Sequence, residues 1–209
     1  MLTESTLNEF CELAAGRTPT PGGGSIAACL GALGAAMGQM AAKFTTGRKG
    51  FEDVQDQLRS EIMELEVLRR QGLELIDSDA AGFEAVTSAY SMPKGTDDEK
   101  ALRKKAIQKA LLVAMQPPLE TCRLAVAGLE ILEKLRKHTN PNLISDVAVG
   151  AYAMGAAFRS GWINVAINLS SLKDAALVDQ VRSEGADLAA RCERLETSVG
   201  EAVLEAVGG

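Results

Sequence analysis

Apolar positions recur every three or four residues along nearly the whole chain, and no stretch alternates with a period of two over a convincing length. Residues 3–15 open behind cap-type side chains, Thr3 or Ser5, and place Leu7, Phe10, Cys11 and Ala14 on one face. A short amphipathic helix closed at Gly16 is expected there. From Phe51 to about Ser91, Val54, Leu58, Ile62, Leu65, Leu68, Leu75 and Ile76 hold the helical period without a proline, which predicts one long bundle helix. Met92 to Thr96 breaks it. Thr96 followed by Glu99 matches a capping box and opens a helix to about Met115. Pro117-Pro118 reads as punctuation, so Leu119 to about Lys137 is expected as a separate helix, with Leu124, Leu129, Ile131, Leu132 and Leu135 in its core. After a polar loop, His138 to Asn142, Ser145-Asp146 leads into another long helix containing Gly150, Gly155 and Gly161. Lys173-Asp174 interrupts, and a last amphipathic helix runs to about Val207. The fold class is all-α: a multi-helix bundle forming one domain over residues 1–209.

The stretch around which the rest is organised runs from Arg17 to Gly50. Pro19 and Pro21 hold its entry extended. Gly22, Gly23 and Gly24 then bring backbone N–H groups to a helix mouth, where the macrodipole favours an anion or a carbonyl oxygen. Ser25 or Thr20 is suited to cap it. The helix that follows ends near Thr45 and carries Gly31, Gly34 and Gly38 among alanines, with no charge between Ser25 and Ala42. Glycine costs a helix interior roughly 1 kcal/mol against alanine, so three on one stripe imply close approach of another helix. The apolar run is at the short limit of a membrane span, and its Ala/Gly content would drive insertion only weakly; a buried central helix is the expectation. Two such small-residue helices can meet within a subunit or across a two-fold axis, and a dimer is expected.

Composition narrows the chemistry. A net charge of −6 and 4% aromatics argue against nucleic-acid binding. No secretory signal is visible, and Cys11, Cys29, Cys122 and Cys192 form no CxxC pair; they are read as reduced core thiols of a cytoplasmic protein. His138 is the only histidine, expected at the surface near a helix C-terminus, so a multi-histidine metal site is excluded. There is no P-loop or dinucleotide fingerprint. Catalysis would fall to carboxylates, lysines, amides and backbone dipoles.

Six segments in order, PTPGGGS from Pro19, TTGRKGFEDV from Thr45, LIDSDAAGFEAV from Leu75, MPKGTDDEK from Met92, NPNLISDVAV from Asn140 and NVAINLSSLKD from Asn164, resemble the cyclodeaminase/cyclohydrolase family. This family comprises the C-terminal domain of formiminotransferase-cyclodeaminase and stand-alone methenyltetrahydrofolate cyclohydrolases. The resemblance spans about residues 4–180. It implies an all-α dimer acting on a folate substrate without a further cofactor. With no formiminotransferase domain before Met1, it implies hydrolysis of 5,10-methenyltetrahydrofolate to 10-formyltetrahydrofolate. The alternatives are cyclodeamination of 5-formiminotetrahydrofolate and a non-catalytic folate-binding dimer. Phe51 stands where relatives often carry tyrosine.

Such a reaction adds water to an already cationic amidinium carbon, so a carboxylate serves as general base and offsets the charge. Asp146 ranks first, beside the NPN loop, followed by Asp79, Lys173 and Asp174. Each has a plain alternative: a helix cap for Asp146, a solvated face for Asp79, a helix-end pair for Lys173 and Asp174. Asn164 and Asn168, four apart, would share a face and recognise the pterin, or else hydrogen-bond between helices. Pro21, Gly22, Gly23, Gly24 and Ser25 would contact substrate at the elbow, and Asn140 and Asn142 beside Asp146. Lys43, Arg48 and Lys49 would take the glutamate carboxylates of folate, or simply form a solvated turn.

Overall fold

The computed structural model describes residues 1–206 and Gly208. Among them there is no strand, and six α-helices follow in order: α1 Leu7–Ala15, α2 Gly23–Thr45, α3 Gln55–Tyr90, α4 Asp97–Leu135, α5 Ile144–Ser171 and α6 Ala175–Ala206. Short 3₁₀ turns precede α1, α3 and α5. Val207, the expected end of the last helix, lies outside the described residues. Helices α2 to α5 form the bundle: α2 and α4 each pack along α3 and α5, while α6 lies against α5 and α4.

The small residues of α2 do what their cost demanded. Its buried face runs from Gly24 to Thr45, and its 23 residues, long and apolar enough to cross a membrane, here pack against three other helices. At the α2–α5 crossing a Cβ on Gly34 would sit 2.9 Å from the carbonyl oxygen of Gly150, and one on Gly150 would sit 3.0 Å from that of Gly34. Backbone meets backbone there, a contact only glycine on both sides permits. The fully buried Leu58, Leu65, Leu129, Leu132, Leu135, Val147 and Met154 fill the space around this crossing.

Several expectations need correction. Pro117 and Pro118 do not divide a helix; both are buried inside the continuous, 39-residue α4. Proline costs an interior helix an N–H and a steric clash. Here neighbouring Met115 and Leu119 are buried to within 2% and Thr121 Oγ1 donates to the Pro117 carbonyl at 3.0 Å, so tertiary packing outweighs the local defect. The α1 cap is Thr6, closing a capping box with Glu9, rather than Thr3 or Ser5. Neither Thr20 nor Ser25 caps α2; Gly22 holds that position without a side chain. His138 is not at the surface: its Nε2 lies 2.9 Å from Oε2 of the buried Glu61. The loop it begins is likewise partly interior, with Thr139 and Asn140 buried. Cys11 is exposed and Cys29 half-buried, so only Cys122 and Cys192 are core thiols.

Candidate functional site

The helices alternate direction, so the start of α2, the end of α3, the start of α4 and the end of α5 meet at one end of the bundle. The elbow lies there, with a cis Thr20–Pro21 bond and Pro21 buried. A cavity of about 350 Å³ opens between these four ends. Gly22, Gly23, Asp79, Asn164 and Asn168 line it, together with Phe83, Val86, Tyr90, Leu111 and Ile167. This is the size and mixed lining of a small-molecule site.

Among the described residues Asp79 is the only carboxylate in that lining. Its Oδ2 accepts a hydrogen bond from Ser25 Oγ at 3.0 Å, and the same hydroxyl is 3.0 Å from the Ile76 carbonyl. A side chain on Gly24 would collide with the carboxylate. The triglycine therefore serves to let an acid from α3 sit against the first turn of α2. Burial raises the Asp79 pKa above the ordinary carboxyl value, and hydrogen bonds from the Ser25 hydroxyl and backbone N–H pull part of the way back. Raised carboxyl pKa values in a cleft suit proton transfer.

Asn164 and Asn168 face this acid from α5. Each donates its Nδ2 to the carbonyl four residues earlier, Ser160 and Asn164, at 2.9 Å, so they bond along their own helix and not between helices. A Cβ on Gly23 would be 3.0 Å from Asn164 Nδ2, so the elbow backbone rests on that amide. Neither Oδ1 accepts a hydrogen bond among the described residues. The site thus combines an acid of raised pKa, two amide oxygens and an aromatic wall.

The other sequence candidates lie elsewhere. Asp146 is in the first turn of α5, eighteen residues or about 27 Å of helix from Asn164. Lys43, Arg48 and Lys49 lie at or beyond the far end of α2, about 33 Å from its start. Asn140 and Asn142 belong to that same far end: the Asn140 N–H donates to Thr45 Oγ1 at 3.0 Å, and its Oδ1 accepts from the Asn142 N–H at 3.1 Å. Asp174 Oδ1 accepts from the Leu177 N–H at 3.1 Å, acting as the cap of α6. Lys173 lies just outside the cavity, its N–H bonded to Gln108 Oε1 at 2.8 Å. Sequence reasoning missed the aromatic wall, although Asp79, Phe83, Val86 and Tyr90 follow at four, three and four residues, which is one helical face.

The two buried thiols do not compete with this acid. Burial pushes the Cys122 thiol up to about 12 and Cys192 to about 11, too high for a thiolate nucleophile near neutrality. Among the described residues no three His, Cys, Asp or Glu side chains gather.

Comparison with known proteins agrees on one family. A family model described as formiminotransferase-cyclodeaminase matches residues 6–187. The chain is 36% identical to methenyltetrahydrofolate cyclohydrolase of Methylorubrum extorquens, over 99% of this chain and 100% of that protein. It is 32% identical to formimidoyltransferase-cyclodeaminase of Rattus norvegicus, covering 87% of this chain but only 34% of that longer one. The crystal structure of formiminotetrahydrofolate cyclodeaminase from Thermotoga maritima superposes with a TM-score of 0.89 at 31% identity, covering all of both chains. With a family model across most of its length, a full-length relative and a full-length structural match, the chain belongs to the formiminotransferase-cyclodeaminase family.

Proposed function

We propose that this chain hydrolyses 5,10-methenyltetrahydrofolate to 10-formyltetrahydrofolate, with Asp79 as the proton-transfer group. The observation that carries the reading is the lone acid in the cavity, its pKa raised by burial, opposite two free amide oxygens. The substrate is a cation whose amidinium carbon is electrophilic without a Lewis acid. Ionised Asp79 attracts that charge and takes a proton as water adds to the carbon, giving a neutral carbinolamine. The protonated acid then returns its proton to N5 as the carbon–N5 bond breaks, while the hydroxyl proton leaves to solvent. One water enters, one proton is released, and the formyl group stays on N10. The Oδ1 atoms of Asn164 and Asn168 accept from the pterin's N–H groups, and Phe83 and Tyr90 wall its ring.

The full-length relative named as the cyclohydrolase supports hydrolysis. The structural neighbour named as the cyclodeaminase favours the second reading, in which N10 attacks the formimino carbon and ammonia leaves. One assay separates them. Purified protein with a chelator present is given methenyltetrahydrofolate, then 5-formiminotetrahydrofolate. Accelerated loss of the methenyl chromophore is expected. Loss at the buffer rate, with chromophore and ammonia formed from the second compound, would replace hydrolysis by cyclodeamination.

The working unit in this reading is a homodimer. Exposed apolar side chains run from Leu33 and Phe44 on α2 onto Val149 and Ile163 on α5, and such an uncharged face is self-complementary. Light scattering should give twice the chain mass, and Leu33→Glu should halve it; a monomeric wild type would refute the dimer.

A further inference from the structure

Ser25 stands in the first turn of α2 and is fully buried, yet it carries a hydroxyl. A buried polar group needs a partner. This one has a single proton to give and two acceptors in reach, the Ile76 carbonyl and Asp79 Oδ2, each 3.0 Å from Oγ. Both belong to α3, three residues apart and on one face. Inside that continuous helix the Ile76 carbonyl also receives the N–H of Ala80, so its bond to the serine is a second one and its loss orphans nothing. A hydroxyl in this place serves either state of the acid. Against ionised Asp79 it donates to Oδ2, a charge-assisted bond and the stronger of the two. Against the protonated acid it has the carbonyl to turn to, and its oxygen is then open to accept. Ser25 is not among the residues lining the cavity, where Gly22 and Gly23 form that side, and it reaches the site only through Asp79. The other charged and titratable groups nearby are turned elsewhere. Helix α2 carries no charge before Lys43, and α5 faces the cavity with Asn164 and Asn168. On α3, Asp77 accepts from the Leu2 N–H and Thr3 Oγ1 at 2.6 and 2.7 Å, and Tyr90 lies about three turns further along. Helix α4 shows the cavity Leu111 and Ala114, while Lys100, Arg103 and Lys104, with Lys173 after α5, lie in the hollow beyond Tyr90.

We propose that Ser25 is the positioning residue of Asp79, its hydroxyl proton pointing to the carboxylate while the acid is ionised and swinging to the Ile76 carbonyl once the acid has taken a proton from the attacking water. The inference rests on Asp79 as the proton-transfer group and adds how that group is kept usable. No bond to Ser25 forms or breaks. The proton that Asp79 receives from water is the one it gives to N5, and the serine proton stays on Oγ, turning about the Cβ–Oγ bond and back in each cycle. The arrangement meets a conflict set by burial. Taking a carboxylate out of water favours its neutral form, and an acid that stays neutral accepts no proton. Burial acts on Asp79 in that direction, and the bonds from Ser25 act against it. A donor with no second acceptor would favour the ionised form by the whole bond lost on protonation. A hydroxyl with a carbonyl to turn to recovers part of that loss, so the acid remains able to take the proton up. Ser25 touches no reacting atom, and its effect belongs in the protonation of Asp79.

The test sets wild type beside Ser25→Ala, which has no hydroxyl, Ser25→Thr, which keeps one, and Ser25→Cys, a weaker donor of nearly the same shape. Initial rates on methenyltetrahydrofolate give kcat/KM against pH, which reports the free enzyme. The alanine variant should move the acid limb up by about one to two pH units, the scale of a hydrogen bond to a charged group. Its deficit should be about tenfold or more at the acid end and shrink as pH rises, and threonine should bring the limb back toward wild type. A serine that only ties α2 to α3 would lower the whole profile and the melting temperature and leave the limb in place. That result would overturn the proposal, as would a threonine limb that stays with that of alanine. Carbon NMR of the aspartate carboxyl groups, with Asp79→Asn assigning the resonance, reads the titration without turnover. Should wild type hydrolyse no methenyl substrate, an Asp79 midpoint raised in the alanine variant and restored by threonine upholds the role of the serine while the hydrolytic reading falls. An unmoved midpoint sinks that role whatever the protein turns over. If the alanine chain does not fold, the cysteine variant carries the same comparison, with a midpoint above wild type in support and one equal to it against.

Discussion

Replacing Asp79 with asparagine separates catalysis from architecture. The amide has the size of the carboxylate and keeps an oxygen to accept from Ser25 Oγ, now at 3.0 Å, so the start of α2 should keep its geometry. Two effects then compete for stability. The carboxylate lies against the first turn of α2, where a negative charge contributes about 0.3–1 kcal/mol through the helix dipole. Burial opposes it, and the net pKa is raised, so desolvation outweighs the favourable contacts. A raised folded-state pKa means the native chain holds its proton to a higher pH than the unfolded chain. Wild type therefore loses stability as pH rises from the ordinary carboxyl range through the folded pKa, and it stays at the lower level above it. Asparagine carries no such penalty. Its melting temperature, relative to wild type, should rise across that window and remain higher at neutrality. Turnover should move the other way, with kcat falling about 10²- to 10⁴-fold, the usual worth of a general acid–base group. Wild-type kcat/KM, which reports the free enzyme, should show an acid limb centred above ordinary carboxyl values. Thermal melts from pH 4 to 8 and initial rates on methenyltetrahydrofolate read both. A variant that melts lower than wild type at pH 7, or retains turnover within a few-fold, would refute the argument.

Three further outcomes follow from the geometry. Asp146→Asn should leave kcat within about twofold, because helix length holds it about 27 Å from the asparagines of the cavity; a hundredfold loss would return it to the mechanism. Removing the charges of Lys43, Arg48 and Lys49 by glutamine should leave KM for methenyltetrahydrofolate within about twofold, since they lie at or beyond the far end of α2, about 33 Å from the elbow; steady-state kinetics decides. Gly34→Ala should destabilise despite a helix-propensity gain of about 1 kcal/mol, since its Cβ would meet a backbone carbonyl at 2.9 Å. Overpacking of this kind costs about 1–3 kcal/mol, and a melting temperature above wild type would show that α2 and α5 can part.

Much of the architecture was legible because burial and helical period coincide: Leu58, Leu65, Leu129, Leu132 and Leu135 are core in sequence pattern and in space. The residue types of the cavity were legible too, since glycines at a helix mouth and paired asparagines on an apolar helix are locally costly and ask for a reason. Their pairing was not. Nothing local says that Gly24 is bare because an acid fifty-five residues later occupies its side-chain space. His138 looked like a surface residue for the same reason: its partner, Glu61, is a charged position on another helix that ordinary patterning assigns to solvent.

Asp146 ranks over Asp79 in the sequence on its place beside the NPN loop, which by itself says nothing of the end of the bundle that the loop occupies. In an up-and-down bundle each helix carries the chain from one end to the other, so the parity of the helix count decides which loops share an end. A break at Pro117-Pro118 adds one reversal between the elbow and the NPN loop, and it would bring Asp146 to the end where Gly22 to Gly24 lie. The continuous α4 removes that reversal. It sends Asn140, Asn142 and Asp146 to the end that holds Lys43, Arg48 and Lys49, and it leaves Asp79, Asn164 and Lys173 with the elbow. Two buried prolines, tolerated because the packing around them outweighs two missing hydrogen bonds, thus decide which carboxylate faces the cavity. The location of the acid is a property of topology before it is one of chemistry, and motif order along the chain carries no information about it until the number of reversals is known.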